Sequence, residues 1–270
     1  MFSPARALLS ATAGSDPLPV VPTLSPLYEY GVGPRRAQMM MIAGQPGAMK
    51  STLATFWADR LEIPTLFFSA DNAPHTASSR LAAARTGFSV KDVIADLGGP
   101  HSGFYEEVIA ESNIMFCFDS SPTLDDIADE ITAYVEYLDA LPELIILDNL
   151  MNVETGTESY SGYMTVMKEM HRLARETGAA VWVLHHTTEG EGDPRVCPPR
   201  RQVHGKVTQL PEIVLTVAYD PATCEFKVAP VKNRNSPSDA SGRTVFSFTA
   251  IPERASFAAP VPRIGAWYGN

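Results

Sequence analysis

Residues 39–56 read MMMIAGQPGAMKSTLATF: an apolar run from Met39 to Ala43, then Gly44-Gln45-Pro46-Gly47-Ala48-Met49-Lys50-Ser51, then a helical stretch opening at Ser51-Thr52. Strand, loop and helix in that order build a phosphate cradle. Backbone amides at the helix start converge on an anion, a lysine adds a point charge to the β and γ oxygens, and the adjacent hydroxyl reaches Mg²⁺. Gly44, Gln45, Pro46, Gly47, Ala48, Met49, Lys50, Ser51 and Thr52 are therefore the expected phosphate-binding residues, with Ser51 also a metal ligand. The usual pattern has glycine where Met49 stands, and a side chain there limits how closely the backbone wraps the phosphates. The competing reading is a Gly-Gln-Pro-Gly turn ahead of a helix that happens to carry a lysine.

Outward from this segment, short apolar runs alternate with helical stretches. Strands are expected at 38–43, 65–69, 113–118, 144–148 and 180–185, and helices at 51–61, 75–86, 124–138 and 161–177. That alternation is the signature of an α/β fold with a mainly parallel twisted sheet covered on both faces. Three β-rich runs, 212–219, 225–231 and 244–249, follow without intervening helices and read as an antiparallel hairpin extension at the sheet edge. Residues 1–30 hold six prolines or glycines and no sustained period, so an extended arm with little core is expected there. Residues 31–252 form the expected single domain and 253–270 a tail, whose Trp267 and Tyr268 read either as folding back onto it or as docking a partner.

With 270 residues, 45% of them hydrophobic, the chain can bury a sizeable core, but a net charge of −10 excludes a surface that is basic throughout. Any nucleic-acid contact must come from a local basic loop. Cys117, Cys197 and Cys224 are widely spaced and odd in number, which fits buried thiols in a reducing compartment. No apolar run is long enough for a membrane span, and the N-terminus does not read as a secretion signal, so a cytoplasmic protein is expected.

Leu144-Ile145-Ile146-Leu147-Asp148 is an apolar run ending in an acid, which places Asp148 at the carboxyl edge of a central strand, where ligands of open α/β sheets bind. A carboxylate there is placed to hold Mg²⁺ beside the phosphates, or else simply ends the strand and starts a turn. Asp71, two residues past the run Thr65–Ser69, is placed to orient and deprotonate a water, or else simply to open the next helix. The run Val181-Trp182-Val183-Leu184 ends at His185-His186. Adjacent strand residues point to opposite faces, which argues against a metal site; the pair reads as a γ-phosphate contact at the strand edge or as ordinary strand-end histidines.

Taken in order, these pieces resemble the RecA-fold C-terminal ATPase domain of DnaB-type replicative helicases and the related hexameric helicases of phages and plasmids, over residues 33–250. The resemblance rests on the loop above, Phe68-Ser69-Ala70-Asp71, Asn113–Asp119 with Ser120-Ser121-Pro122-Thr123, Leu144–Asp148 and Leu184-His185-His186. It continues through Gly205-Lys206, Gln209, Glu212-Ile213-Val214-Leu215 and Val231-Lys232-Asn233-Arg234-Asn235-Ser236-Pro237. It implies a RecA-like P-loop core that uses ATP and Mg²⁺, with Asp148 on the metal, Asp71 on the water and His186 on the γ-phosphate. It further implies that Lys232 and Arg234 reach the γ-phosphate of a neighbouring subunit, although spacing alone makes them a solvated basic turn. Asp71 replaces the family's glutamate and pulls the carboxylate back by roughly 1.5 Å, which points to slower hydrolysis or a shifted water.

The resemblance also implies single-stranded DNA as partner, a homo-oligomeric, hexameric ring, and loader or primase functions supplied by other chains, as in a minimal phage-like version. Of the loops that line the pore in that family, Met151–Gly162 has no basic residue, whereas Thr187–Lys206 carries Arg195, Arg200, Arg201 and Lys206. These four are the candidate DNA contacts, binding backbone phosphate without reading bases. Left to charge alone, that segment is a solvated mixed-charge loop, with Glu189, Glu191 and Asp193 among the arginines. Two other readings keep the core: a recombinase-like or KaiC-like ATPase, or an ATP-binding loader or assembly protein that hydrolyses little.

Overall fold

All six residues of β1 (Met39–Gly44) are buried, because the strand runs through a sheet with helices on both faces. The computed structural model describes residues 16–99, 102–156, 160–188 and 192–259. The remaining strands are β2 (Thr65–Ser69), β3 (Ile114–Cys117), β4 (Leu144–Asp148), β5 (Ala180–His186), β6 (Ile213–Asp220), β7 (Glu225–Asn233), β8 (Phe246–Ile251) and β9 (Ser256–Ala258). They lie side by side in the order β3-β2-β4-β5-β1-β6-β7-β8-β9. Pairing is parallel from β3 to β6 and antiparallel from β6 to β9.

A strand covered on both faces must be apolar at every position, and its two-residue period then sorts the side chains into two cores. Met40, Ile42, Leu144, Ile146, Trp182, Leu184 and Leu215 face one core; Met39, Met41, Ile145, Leu147, Val181, Val183 and Val214 face the other. Helix α2 (Lys50–Leu61) covers the first, where the rings of Trp57 and Trp182 lie 5.1 Å apart. Helix α7 (Tyr160–Thr177) covers the second with Val166, Met167, Met170 and Ala174, beside α6 (Leu124–Leu138) with Ile127 and Tyr134. Thr123 and Asp126 close a reciprocal capping box that starts α6.

The structure corrects the sequence reading in four places. Residues 16–30 are not a bare arm: Leu18, Val21, Leu24 and Leu27 are at most 2% exposed and sit in the first core. They are carried by a 3₁₀ turn and by α1 (Ser25–Glu29), and Trp57 Nε1 donates to Tyr28 Oη at 2.8 Å. At the other end, β9 extends the sheet beyond residue 252, with Phe257 against Phe56 and Phe226. Residues 1–15 and the tail from residue 260, with Trp267 and Tyr268, lie outside the described residues. Between α3 (Pro74–Thr86) and β3, two further helices, α4 (Val90–Asp96) and α5 (Ser102–Ala110), form a small satellite core around Val93 and Tyr105. Finally, β6 is parallel to β1 and buried along most of its length, so the hairpin begins one strand inside the position expected for an edge.

Candidate nucleotide site

The loop after β1 owes its shape to three positions. A Cβ on Gly44 would lie 2.9 Å from both the Val217 side chain and the Val217 carbonyl oxygen of β6, so only glycine lets the neighbouring strand approach. Gly47 has φ +77°, a left-handed conformation that costs glycine little. Met49 adopts the same region, φ 60° and ψ 26°, as the residue that caps α2. The backbone thus takes the glycine-like turn that the usual pattern anticipates, with a methionine side chain packed against the first core. No side chain caps α2, so its first amides, around Lys50 to Thr52, face the loop as anion donors.

Lys50 is 7% exposed, and its Nζ donates to the carbonyls of Gly44 and Gln45, each at 3.0 Å. Burial pulls its pKa down to about 8, opposed by the charges of Asp148 and Asp71. Asp148 is 1% exposed at the carboxyl end of β4, and no described group meets hydrogen-bond geometry with either of its oxygens. Burial pushes its pKa up to about 6, while the Ser51 hydroxyl and the charges of Lys50 and Arg80 hold it down. A buried carboxylate with both oxygens unsatisfied, next to a hydroxyl and a loop of outward amides, is the donor set of a hard divalent cation bound beside phosphate. The residues present fit Mg²⁺ and a triphosphate.

Strand register brings the remaining candidates to the same edge: Ser69 is level with Asp148, and Gly44 with His186. Asp71 follows two residues beyond Ser69. Asn149 Nδ2 donates to Asp71 Oδ2 and lies 3.3 Å from His186 Nε2, while Lys50 Nζ lies 3.5 Å from His186 Nδ1. A neutral imidazole has one acceptor nitrogen, so only one of those two donors is hydrogen-bonded to it at a time. Pro46, Asp71, Asn149, His186 and His204 line one open cavity. His185 points the opposite way, fully buried, with its Nε2 donating to the His204 carbonyl at 3.0 Å.

Two residues of this site escaped the sequence reading. Asn149 is 2% exposed and joins Asp71 to His186; its signal was its place directly after the strand-ending acid. Arg80, on α3, donates to Asn72 Oδ1 at 3.1 Å and lines a pocket with Ser51 and Ser69. Nothing in the sequence separates it from Arg85, which pairs with Asp59 at 2.7 Å.

Lys232 and Arg234 are not in this pocket. Lys232 pairs with Val214 and Asn233 with Ile213, which is level with Met40, so both cations sit at the amino edge of the sheet. Four strand residues, roughly 13 Å, separate Met40 from Gly44. Lys232 stands in β7, one residue before its end, rather than in a turn, and its Nζ donates to the carbonyls of Thr208 (2.9 Å), Gln209 (2.8 Å) and Pro211 (2.5 Å). Burial draws its pKa down to about 8, aided by the nearby Arg234 and Arg200 charges. Arg234 donates to Glu212 Oε1 at 3.2 Å and to the Gln209 carbonyl at 3.0 Å, with its side chain 50% exposed.

The four candidate DNA contacts divide. Arg200, Arg201 and Lys206 line one groove, and Arg243 from the β7–β8 connection joins them there. Arg195 stands outside that lining, exposed and paired with Asp193 at 2.8 Å. Glu189 and Glu191 lie outside the described residues.

The family model of the AAA domain matches residues 23–192. The Gene 65 protein of Mycobacterium phage L5 is 32% identical over 264 residues, spanning 93% of this chain and 96% of that protein. The Gene 65 protein of Mycobacterium phage D29 is 34% identical over 217 residues, 76% of this chain and 91% of that one. Among solved structures, an isolated ATPase domain superposes with TM-score 0.79 at 16% identity, over 97% of this chain and 100% of that chain. A DnaB-like replicative helicase, solved in a study of its interactions with primase, superposes with TM-score 0.77 at 17% identity, over 97% and 68% of the two chains. The fold is therefore that of the DnaB-type RecA-like ATPase domain.

Proposed function

We propose, from the premise that this chain belongs to the AAA domain family, that it is an ATP-hydrolysing DNA helicase or translocase motor of the DnaB-like type, acting in replication as a ring. The observation that carries the reading is the convergence of Lys50, Ser51, Asp148, Asp71 and His186 on one edge of four adjacent parallel strands, around a buried carboxylate whose oxygens are left unsatisfied. Bound Mg²⁺ would neutralise charge on the transferring phosphoryl group. In this reading the loop and helix-start amides from Gly47 to Thr52, apart from Ala48 N, which donates to the Gln45 carbonyl, grip phosphate with Lys50, while Ser51 and Asp148 hold the metal. Asp71, oriented by Asn149, takes the proton of the attacking water, and His186 contacts the γ-phosphate.

Lys232 and Arg234 serve a neighbour's site, since the sheet separates them from their own phosphate loop. Six such subunits would share six sites, with Arg200, Arg201 and Lys206 facing single-stranded DNA, Arg195 as an outer contact, and a loader or primase on separate chains. Cytoplasmic action, in a bacterial host if the chain is phage-encoded, follows from the same reading; among the described residues no helix is long and apolar enough to cross a membrane.

A second reading is an ATP-binding loader or assembly protein with little hydrolysis. It is favoured by Asp71, whose short side chain is already engaged by Asn149. ATPase rates with and without single-stranded DNA separate the two, comparing the parent with Lys50→Ala and Arg234→Ala. The motor reading expects each variant to lose at least tenfold and their mixture to recover part of the rate, because some interfaces then pair an intact loop with an intact arginine. No recovery at any ratio, with rings intact, contradicts action in trans, and a parent rate indifferent to DNA favours the second reading.

A further inference from the structure

Between the basic groove and the amino-edge cations lies one buried residue that touches both. Thr208 is 7% exposed; its Oγ1 accepts from Arg200 Nε at 3.0 Å, and its carbonyl accepts from Arg200 Nη2 at 3.3 Å and from Lys232 Nζ at 2.9 Å. A single peptide carbonyl is thus shared between a cation of the groove and a cation of the hairpin. The segment that follows holds the rest of the hairpin: Gln209 O accepts from both Lys232 and Arg234, and Glu212 from Arg234. A second tie runs the same way. Arg200 N donates to the Ala240 carbonyl at 3.0 Å, and a Cβ on Gly242 would lie 2.9 Å from the Cys197 carbonyl, so the β7–β8 connection is clamped to the groove segment.

We propose that Thr208 is a positioning residue that links occupancy of the Arg200–Arg201–Lys206–Arg243 groove by a nucleic-acid backbone to the placement of Lys232 and Arg234. This rests on the functional reading above. A phosphodiester approaching the groove competes with neutral oxygens for the Arg200 guanidinium, because a charged acceptor makes the stronger, bidentate contact. Arg200 then leaves Thr208. The carbonyl that held two cations holds one, and the Thr208–Glu212 segment resettles around Lys232 with the hairpin that follows it. Contact in the groove would in this way reset the two cations offered to a neighbouring subunit, with no wire through the sheet core.

The experiment measures ATPase turnover with and without oligo-dT in the full-length parent, Thr208→Val and Thr208→Ser, together with the thermal midpoint of each. Thr208→Val keeps the shape and removes the hydroxyl that registers Arg200. The expected result is a stimulation by oligo-dT that falls at least fivefold in Thr208→Val and is retained within twofold in Thr208→Ser, with DNA-free turnover within twofold of the parent in both. Parent-like stimulation in Thr208→Val, or equal loss in both variants, overturns the proposal while leaving the motor reading standing. A parent that oligo-dT does not stimulate removes both. Hydrogen exchange on the parent provides a test free of substitutions: oligo-dT is expected to alter exchange at residues 207–211 and 231–235 as well as 195–206. Change confined to 195–206 overturns the proposal.

Discussion

At the scale of single residues, burial has set the chemistry of the strand-edge histidines more than their identity has. His185 and His186 are neighbours of one type, yet His185 is fully buried and burial pulls its pKa down to about 3 from 6.5. Its Nε2 proton is committed to the His204 carbonyl, and its ring stands edge-on to Tyr163 with centroids 5.8 Å apart. The folded protein therefore refuses a proton that the unfolded chain accepts below about pH 6.5, and stability is lost as pH falls from there toward 3, by up to about 1.4 kcal/mol per pH unit. Replacing His185 by Gln should lower stability at pH 7 but narrow the gap to the parent by about 2 kcal/mol by pH 5. Asp148, raised by burial to about 6, contributes with the opposite sign, yet equally in parent and variant. Urea unfolding at both pH values measures the gap; a constant gap would mean that His185 protonates in the fold. The alternation of a strand predicts that these histidines diverge, but only the packed structure shows which of them turns inward.

At the scale of elements, the segment ahead of the first strand is a structural member rather than a loose arm. Its apolar residues recur at 18, 21, 24 and 27, every third position, with prolines at 17, 19, 22 and 26 between them. The prolines obscure a helical period, because they break it into a 3₁₀ turn and a five-residue helix. A spacing of three was the available signal. Leu24 is fully buried against the first core, so Leu24→Ala should cost about 2–5 kcal/mol in denaturant unfolding. A loss below about 0.5 kcal/mol would return the segment to the surface. Helices α4 and α5 were missed for a related reason. They bury only Val93 and Tyr105 and so carry almost no apolar period, although Ser89 and Asp92 spell out a helix start, Ser89 Oγ accepting from Asp92 N at 3.1 Å. Four of the five parallel strands from 38 to 185 were legible because burial on both faces forces unbroken apolar runs ending at polar residues; the edge strand β3, buried only at Ile114, was legible from its apolar run alone.

At the scale of the whole molecule, the sheet divides the candidate functional residues between two edges. The phosphate loop, Asp71, Asp148 and His186 share the carboxyl edge; Lys232 and Arg234 share the amino edge, held by carbonyls of 208–211 and by Glu212. The sequence names all of them, but linear order carries no information about which edge a hairpin residue reaches once β6 has crossed to lie beside β1. In the proposed ring, a subunit with its loop at one edge and its cations at the other would complete a site only with a neighbour, and each subunit alone is expected to bind nucleotide without fast turnover. Every role proposed for these residues depends on the loop gripping a magnesium-bound triphosphate. The direct measurement is a calorimetric titration of Mg-ATP into the parent, Lys50→Ala and Asp148→Asn, with EDTA as control. Binding well below millimolar in the parent, weakened at least tenfold by Lys50→Ala and stripped of its magnesium dependence by Asp148→Asn, is the predicted result; a parent that takes up no Mg-ATP at millimolar concentration, or three proteins that bind it alike, would contradict it.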